Sequence, residues 1–242
     1  MLQHKPTRKL RQDVRTLPTF TIPEAAVYLA INRWTLADWY EGPDPVLKAS
    51  GTYQNNGSIK LLSFRDLEEA YKLHLLRTKF HYSMQYLQRA LIDARRESKS
   101  DHPLLDNKMI VFNYLALDRP ARGEQPRQLI PLGTSVQMSL YIPDVLDTWG
   151  KRIIADSEGK AEQIFPWKRS ATDDVSRPVS MSASVLSGRL VVTGTRIPVD
   201  VLAGYCASGR TVEQIADLYG LDIDLVRKAL EHIERPELQK VS

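Results

Sequence analysis

Hydrophobic residues recur at helical spacing from residue 21 onward and predict two short helices joined by a tight turn. Thr21 and Glu24 have the spacing of a capping box, in which each side chain bonds the backbone at the start of a helix. Ala30-Ile31 interrupts the pattern, and Asn32 can then cap a second helix. This arrangement predicts a helix-turn-helix. Its apolar positions are Ala25, Ala26, Leu29, Leu36 and Trp39.

A β-hairpin and a longer helix are predicted next. Glycine and proline break the second helix at residues 42 to 45, and apolar residues then predict strands over residues 46 to 49 and 58 to 62. Asn56-Gly57 between them is a strong hairpin-turn signal. Ser63 and Asp66 have capping spacing at the start of the longer helix. The order helix, turn, helix, hairpin, helix is typical of a winged helix-turn-helix.

The middle of the chain predicts a further helix and small β-elements. The helix starts at Ser83 and has a charged face with Arg89, Arg95 and Arg96, which we interpret as solvated. The β-elements are a strand at 109 to 115 with a return strand at 128 to 130, and a hairpin formed by 151 to 154 and 161 to 166. A short helix is predicted between them, at residues 139 to 149.

Residues 168 to 180 are rich in Ser, Asp, Thr and Pro and predict an interdomain linker with a boundary near Arg177. A short strand, a glycine turn and three small helices are predicted beyond it. Thr211 begins a second capping box, which leads into an apolar face with Ile215, Ala216 and Leu218.

The predicted fold is therefore α+β and mainly helical, with several units along the chain. They are a basic arm at 1–17, a winged helix-turn-helix at 18–80, a middle helix and β-hairpin segment at 81–167, the linker at 168–180, a helical domain at 181–234 and a tail at 235–242.

Charge is concentrated at the N-terminus. The net charge of the chain is +4, and the first fifteen residues already contribute five basic residues against one acidic residue. Such an arm is suited to phosphate backbones, although a disordered solubilising tail is the plain alternative. No apolar run is long enough to span a bilayer, the N-terminus has no secretory signal, and Cys206 is the only cysteine. These features favour a cytoplasmic protein without a membrane partner.

Residues 18 to 80 resemble the DNA-binding head of the MerR-like regulators. The resemblance lies in residues 20 to 26, in Thr35-Leu36 with Trp39, and in residues 64 to 67 after the hairpin. It implies that the second helix enters the major groove and that the hairpin serves as a wing.

Residues 181 to 234 closely resemble the antitoxin-associated domain of unknown function, DUF family 433. The matching residues are Gly188, Val192, the run from 194 to 199, Gly209, the run from 213 to 216 and Tyr219; Leu190 and Gly220 stand where the family often has proline. A chain that joins this domain to a helix-turn-helix resembles the longer VapB-type antitoxins. The resemblance implies a type II antitoxin that inhibits a PIN-domain ribonuclease toxin and represses its own operon as a dimer.

Candidate DNA-binding residues lie in the recognition helix, the wing and the arm. Arg33 is the first choice, because arginine can bond guanine bidentately in the major groove. Trp34 has an open alternative, which is to cover the protein's own core, and Trp39 is expected to be buried. The full set is Asn32, Arg33, Trp34 and Thr35 in the helix, Lys48, Tyr53 and Lys60 in the wing, and Lys5, Arg8, Lys9, Arg11 and Arg15 in the arm.

Candidate contacts with a toxin or a second subunit lie in the C-terminal domain. The turn at 194 to 196 could form an anion nest, but a structural glycine turn is the stronger interpretation. Residues 211 to 230 could form a second helix-turn-helix, yet residues 181 to 242 hold seven basic and eight acidic residues, which favours protein contact. The tail is either an inhibitory segment or an unordered end. The contact candidates are Arg196, Tyr205, Tyr219 and Arg227.

Nothing in the sequence indicates catalysis, a metal or a cofactor. The five histidines show no ligand spacing with the cysteine, and no glycine-rich phosphate loop is present. Two functional alternatives to an antitoxin remain. One is a ligand-responsive regulator with a sensor pocket in residues 83 to 166, and the other is an interaction protein that does not bind DNA.

Overall fold

A computed structural model describes most of the chain, in nine stretches. They are residues 13–54, 57–79, 81–106, 109–111, 115–119, 128–131, 152–157, 160–166 and 177–233. The fold is mixed α+β and mainly helical, as predicted. The predicted helix at 139 to 149 and the tail lie outside the described residues.

Two short helices with side-chain caps open the fold. Helix α1 (Ile22–Tyr28) follows the two-residue strand β1 (Phe20–Thr21), and both hydrogen bonds of the predicted Thr21/Glu24 capping box are present. Helix α2 (Arg33–Glu41) is capped by Asn32. Between them Ala30 adopts a left-handed backbone with φ of 55°, which turns the chain sharply.

The hairpin is formed by β2 (Gly51–Gln54) and β3 (Ser58–Leu62), and β1 adds to β3, so the strand order is β1-β3-β2. The prediction of a strand at 46 to 49 was therefore wrong, although the strand at 58 to 62 was right. Val46 and Leu47 are buried, but their backbone groups bond helices. The Leu47 N–H donates to the Trp39 carbonyl at 2.9 Å, and Arg95 donates to the Val46 carbonyl.

Three helices follow the hairpin. Helix α3 (Phe64–Thr78) starts at the predicted Ser63/Asp66 capping box and is mostly buried, with eleven buried residues. Helix α4 (Met84–Ser98) buries Leu87, Ala90, Leu91 and Ala94 on one side. The short helix α5 (Pro103–Asp106) packs against α3 and α4.

Small antiparallel sheets occupy the described middle segment. The first has β5 (Leu115–Arg119) between β4 (Met109–Val111) and β6 (Gln128–Pro131), so β5 separates the two strands that were predicted to pair. The second is the predicted hairpin, formed by β7 (Ile153–Ala155) and β8 (Ala161–Ile164).

The C-terminal part contains two short strands and three helices. Strand β9 (Val179–Ser180) pairs with β10 (Val191–Val192). Helices α6 (Val199–Ala207), α7 (Val212–Tyr219) and α8 (Ile223–Ile233) follow, and α6 and α7 each pack against α8.

The end of the predicted linker is part of the core. Val179 and Met181 are fully buried, and Met181 exchanges two backbone hydrogen bonds with Ile164, at 2.8 and 2.9 Å. Residues 179 to 181 therefore lie between β8 and β10, and placing residues 179 and 180 in a linker was wrong. The serine and proline content of this stretch predicted a loop. The strand forms because Ile164 and β10, which are remote in sequence, supply its backbone partners.

One hydrophobic core connects the N-terminal and C-terminal parts. It includes residues from Phe20 through Leu230. At their junction the His232 imidazole Nε2 lies 3.0 Å from the Tyr28 carbonyl oxygen. Arg189 forms an ion pair with Asp200 and a hydrogen bond with the Tyr28 side chain. The two parts are thus packed together through side-chain and backbone contacts.

Candidate nucleic-acid interface

The first turn of α2 is capped by Asn32 and is exposed to solvent. The Asn32 Oδ1 accepts hydrogen bonds from the backbone N–H groups of Trp34, at 2.9 Å, and Thr35, at 3.3 Å. Asn32, Arg33, Trp34 and Thr35 are all exposed. The structure thus brings these four predicted residues together on one accessible turn, and it assigns the Asn32 side-chain oxygen to capping.

The two tryptophans of α2 have opposite environments. Trp39 is 2% exposed and packs in the core, as predicted, whereas Trp34 is 73% exposed. Trp34 therefore does not cover the protein's own core, which was the alternative to a DNA contact. The Arg33 guanidinium carbon lies 5.5 Å from the centre of the Trp34 ring, within the range of a cation–π contact.

The solvent-exposed side of α2 differs in chemistry between its two ends. Leu36, Trp39 and Tyr40 face the core. Trp34, Asp38 and Glu41 are exposed and are spaced four and three residues apart, so they share the opposite side. The N-terminal end of this side is therefore aromatic and adjoins a cation, while its C-terminal end is acidic.

The hairpin presents an apolar face to solvent. Tyr53 and Ile59 are direct cross-strand partners, so they share one face, and both are exposed. Lys60 is half-buried and lies opposite Thr52 on the other face. The candidate residues Tyr53 and Lys60 therefore belong to the hairpin but point to different sides of it.

Lys48 is not part of the hairpin, so its assignment to the wing was wrong. It lies between α2 and β2, and its Nζ forms an exposed ion pair of 2.8 Å with Asp101. Hydrogen bonding to Lys48 lowers the pKa of the Asp101 carboxyl group. The error came from placing the first strand of the hairpin at residues 46 to 49, whereas the strand covers residues 51 to 54.

Arg15 is tied to the protein body instead of projecting as an arm. Its guanidinium forms ion pairs with Asp13 at 2.9 Å and with Asp156 at 2.7 Å. These hydrogen bonds raise the pKa of Arg15. The prediction that Arg15 contacts phosphates from a free arm is therefore corrected, because both carboxylates already neutralise it. Lys5, Arg8, Lys9 and Arg11 lie outside the described residues.

The four candidate contacts of the C-terminal part are not one cluster. Tyr205 and Tyr219 meet edge to face with ring centres 6.0 Å apart, and their hydrogen bond raises the pKa of Tyr219. Arg227 pairs with Asp224 within α8, and Arg196 is exposed. Among the described residues, no contact joins either arginine to the tyrosine pair.

Sequence analysis did not predict two exposed apolar residues that lie near Tyr219 in the sequence. Leu218, expected on the buried face of α7, is 52% exposed, and Ile223 beyond the Gly220 turn is also exposed. Arg210 places its guanidinium carbon 5.4 Å from the centre of the Tyr205 ring. Leu218 lies three residues after buried Ile215, so helical spacing alone assigned it to the wrong side. We call Tyr205, Leu218, Tyr219 and Ile223 the C-terminal patch.

Comparison with known proteins relates the C-terminal part to a family and the whole chain to a fold. Residues 179–232 match the family described as "Protein of unknown function (DUF433)". The sequence resemblance to this family is therefore confirmed for that part of the chain. A search of curated proteins found no significant match.

A solved structure resembles most of the chain. It is the X-ray crystal structure of Rv2018 from Mycobacterium tuberculosis, with a TM-score of 0.57 and 21% sequence identity, covering 88% of this chain and 98% of that one. At this identity the similarity concerns the fold alone. Among the described residues, no helix combines the length and apolar character needed to cross a membrane.

Proposed function

We propose that the protein is the antitoxin of a type II toxin–antitoxin system. In this proposal the segment from α1 to α3 is a winged helix-turn-helix that binds operator DNA, with two subunits occupying two half-sites. The C-terminal part binds and inhibits a PIN-domain ribonuclease toxin. Operator binding as a dimer represses the protein's own operon. The resemblance of residues 181 to 234 to antitoxin-associated domains motivates the toxin part.

The exposed first turn of α2 is the observation that carries DNA binding. Helix N-termini attract anions because the helix dipole is positive there. At α2 this attraction comes from the dipole and from Arg33, since Asn32 already bonds the N–H groups of Trp34 and Thr35. The first turns of α1, α3, α6, α7 and α8 contain an acidic residue, whereas those of α2 and α4 contain none, and that of α2 also includes Arg33. This turn is therefore suited to a polyanion.

The C-terminal patch supports a protein partner. Leu218 and Ile223 of the patch are exposed, while its two tyrosines are half-buried. Exposed apolar side chains are typical of interface centres, and charged residues surround them at the rim. Asp217 and Asp222 are exposed beside Leu218 and Ile223, so the rim is acidic at this point. An acidic rim would complement a basic protein, as expected for an enzyme that binds RNA.

DNA binding is tested by gel shift with the duplex upstream of the protein's own gene, at several salt concentrations. We expect specific binding that weakens as salt rises, because phosphate contacts release counterions. Arg33→Ala should weaken binding by about 1–3 kcal/mol. Lys228→Ala, an exposed cation of α8, is the matched control and should bind as the wild type. If Arg33→Ala and Lys228→Ala behave alike, α2 is not the recognition helix.

Toxin binding is tested by co-expression with the product of the neighbouring open reading frame. That product should arrest growth when expressed alone and should copurify with this protein. Leu218→Arg should reduce copurification, while Ile92→Arg, an equally exposed apolar residue on α4, should not. If the product of the neighbouring open reading frame neither copurifies nor arrests growth, the antitoxin proposal is ruled out, whereas the proposed DNA binding is unaffected.

A ligand-responsive regulator is the second candidate. A cleft of about 250 Å³ lies between the 3₁₀ turn Val14–Thr16, β8 and residues 182 to 184, and it is lined by Asp13, Arg15, Glu162 and Ser182 among others. Small-molecule sites usually enclose roughly 300–1,000 Å³. This cleft is smaller, and Arg15 in its wall is already neutralised. A metabolite that changes DNA affinity and protects Glu162 from hydrogen exchange would favour this candidate.

A further inference from the structure

Trp34 is the most exposed large apolar side chain of the described residues. Its exposed fraction is 73%, compared with 55% for Ile92, the next in order. Tryptophan is usually well buried because of its large apolar area. Since Trp39 fills the core position of the same helix, Trp34 has no packing role within the described chain that would account for its presence.

The surroundings of Trp34 restrict what it can contact on DNA. Asp38 and Glu41 continue the same side of α2 toward its C-terminal end, and their carboxylates would repel phosphates. Only the first turn can therefore approach the duplex closely. An indole has one N–H donor and no acceptor, so most of its contact surface is apolar.

We propose that Trp34 recognises thymine by packing against its C5-methyl group in the major groove. This inference rests on the proposed DNA binding through α2. The thymine methyl is the apolar group that base pairs display in that groove, and apolar side chains contact it. Arg33, in cation–π contact with the same ring, bonds a base or phosphate beside the thymine. Trp34 thus determines specificity at one base pair.

The experiment removes the methyl group alone. A binding duplex is selected from random sequences with the wild-type protein, and each thymine of the selected site is replaced in turn by uracil. At one thymine this replacement should weaken wild-type binding about fourfold, which corresponds to the free energy gained by burying one methyl group. Trp34→Ala should bind the unmodified site more weakly and show no further loss with uracil. Trp34→Phe should remain sensitive, because its ring also contacts the methyl.

Ile92→Ala is the matched control, since it removes an exposed apolar side chain from α4 and should retain the full uracil effect. Uracil replacements that cost nothing at every position, or that cost Trp34→Ala as much as the wild type, would overturn the proposal while leaving DNA binding intact. If no duplex is enriched in the selection, DNA binding itself fails, and the assignment of Trp34 fails with it.

Discussion

Gly188 brings the backbone of the C-terminal part close to two aromatic rings of the N-terminal head. Its φ is 90°, in the region that favours glycine. A Cβ at this position would lie 2.9 Å from Phe20 Cζ and 3.1 Å from Phe64 Cδ2. Both rings are buried, so neither can move away freely. The family motif in the sequence identified this glycine, but only the packing explains it.

Gly188→Ala should lower the free energy of unfolding by at least about 2 kcal/mol, because backbone strain and overpacking act together. Urea unfolding measures this loss. Gly204→Ala is the control, since Gly204 lies within α6 and a Cβ added there would meet no packed neighbour within 4 Å. That variant should gain up to about 1 kcal/mol from helix propensity. Equal stability of both variants would contradict the close approach.

At the scale of elements, His102 ties the chain before α5 to buried carboxylates of α3. Its Nδ1 lies 2.8 Å from Glu69 Oε2 and 3.8 Å from Asp66 Oδ1. Both carboxylates are buried, and no described residue donates a hydrogen bond to Asp66 Oδ1. The hydrogen bond with Glu69 raises the pKa of His102, against the opposing effects of burial and of Arg65. Protonated His102 therefore neutralises buried negative charge.

This pair makes stability depend on pH. Because the folded-state pKa of His102 is raised above its ordinary value of 6.5, its stabilisation is fully present below about pH 6.5 and is lost as pH rises through the folded-state pKa. The difference in Tm between the wild type and His102→Asn should thus shrink as pH increases. His81→Asn, an exposed histidine, should show no such trend. A difference that stays constant from pH 5.5 to about pH 9 would rule out the charged pair.

The hairpin shows why an apolar run is an incomplete guide to an element. Val46 and Leu47 are buried as strand residues would be, and the sequence pattern was interpreted in that way. Their carbonyl and N–H groups, however, bond Arg95 of α4 and the end of α2. Every buried backbone group needs a partner, and those partners came from helices rather than from a strand. The hairpin consequently begins at Gly51.

At the scale of the whole molecule, the N-terminal head and the C-terminal part share one core. Contacts at Gly188, His232 and Arg189 join them, and Met181 bonds Ile164 of the middle hairpin. The sequence had indicated separate domains on either side of a linker. A partner that binds the C-terminal patch would therefore bind the same folded unit that contains α1 and α2.

A shared core predicts a single cooperative unfolding transition. Backbone amides of α2 and α8 should exchange hydrogen with the same limiting free energy, because each helix loses its packing when the other unfolds. Gly188→Ala should reduce this free energy equally in both helices. Two separate transitions in calorimetry, or a loss confined to α8, would indicate independently folding domains instead.

The sequence by itself determined the features that depend on near neighbours. The capping residues Thr21, Asn32, Ser63 and Thr211 were all located correctly, since a cap involves residues within one helical turn. Tertiary structure alone decided that Trp34 is exposed, where the hairpin starts, and that residues 179 and 180 form a strand. Those outcomes depend on which distant segment supplies the packing surface and the backbone partner, and local periodicity carries no information about that choice.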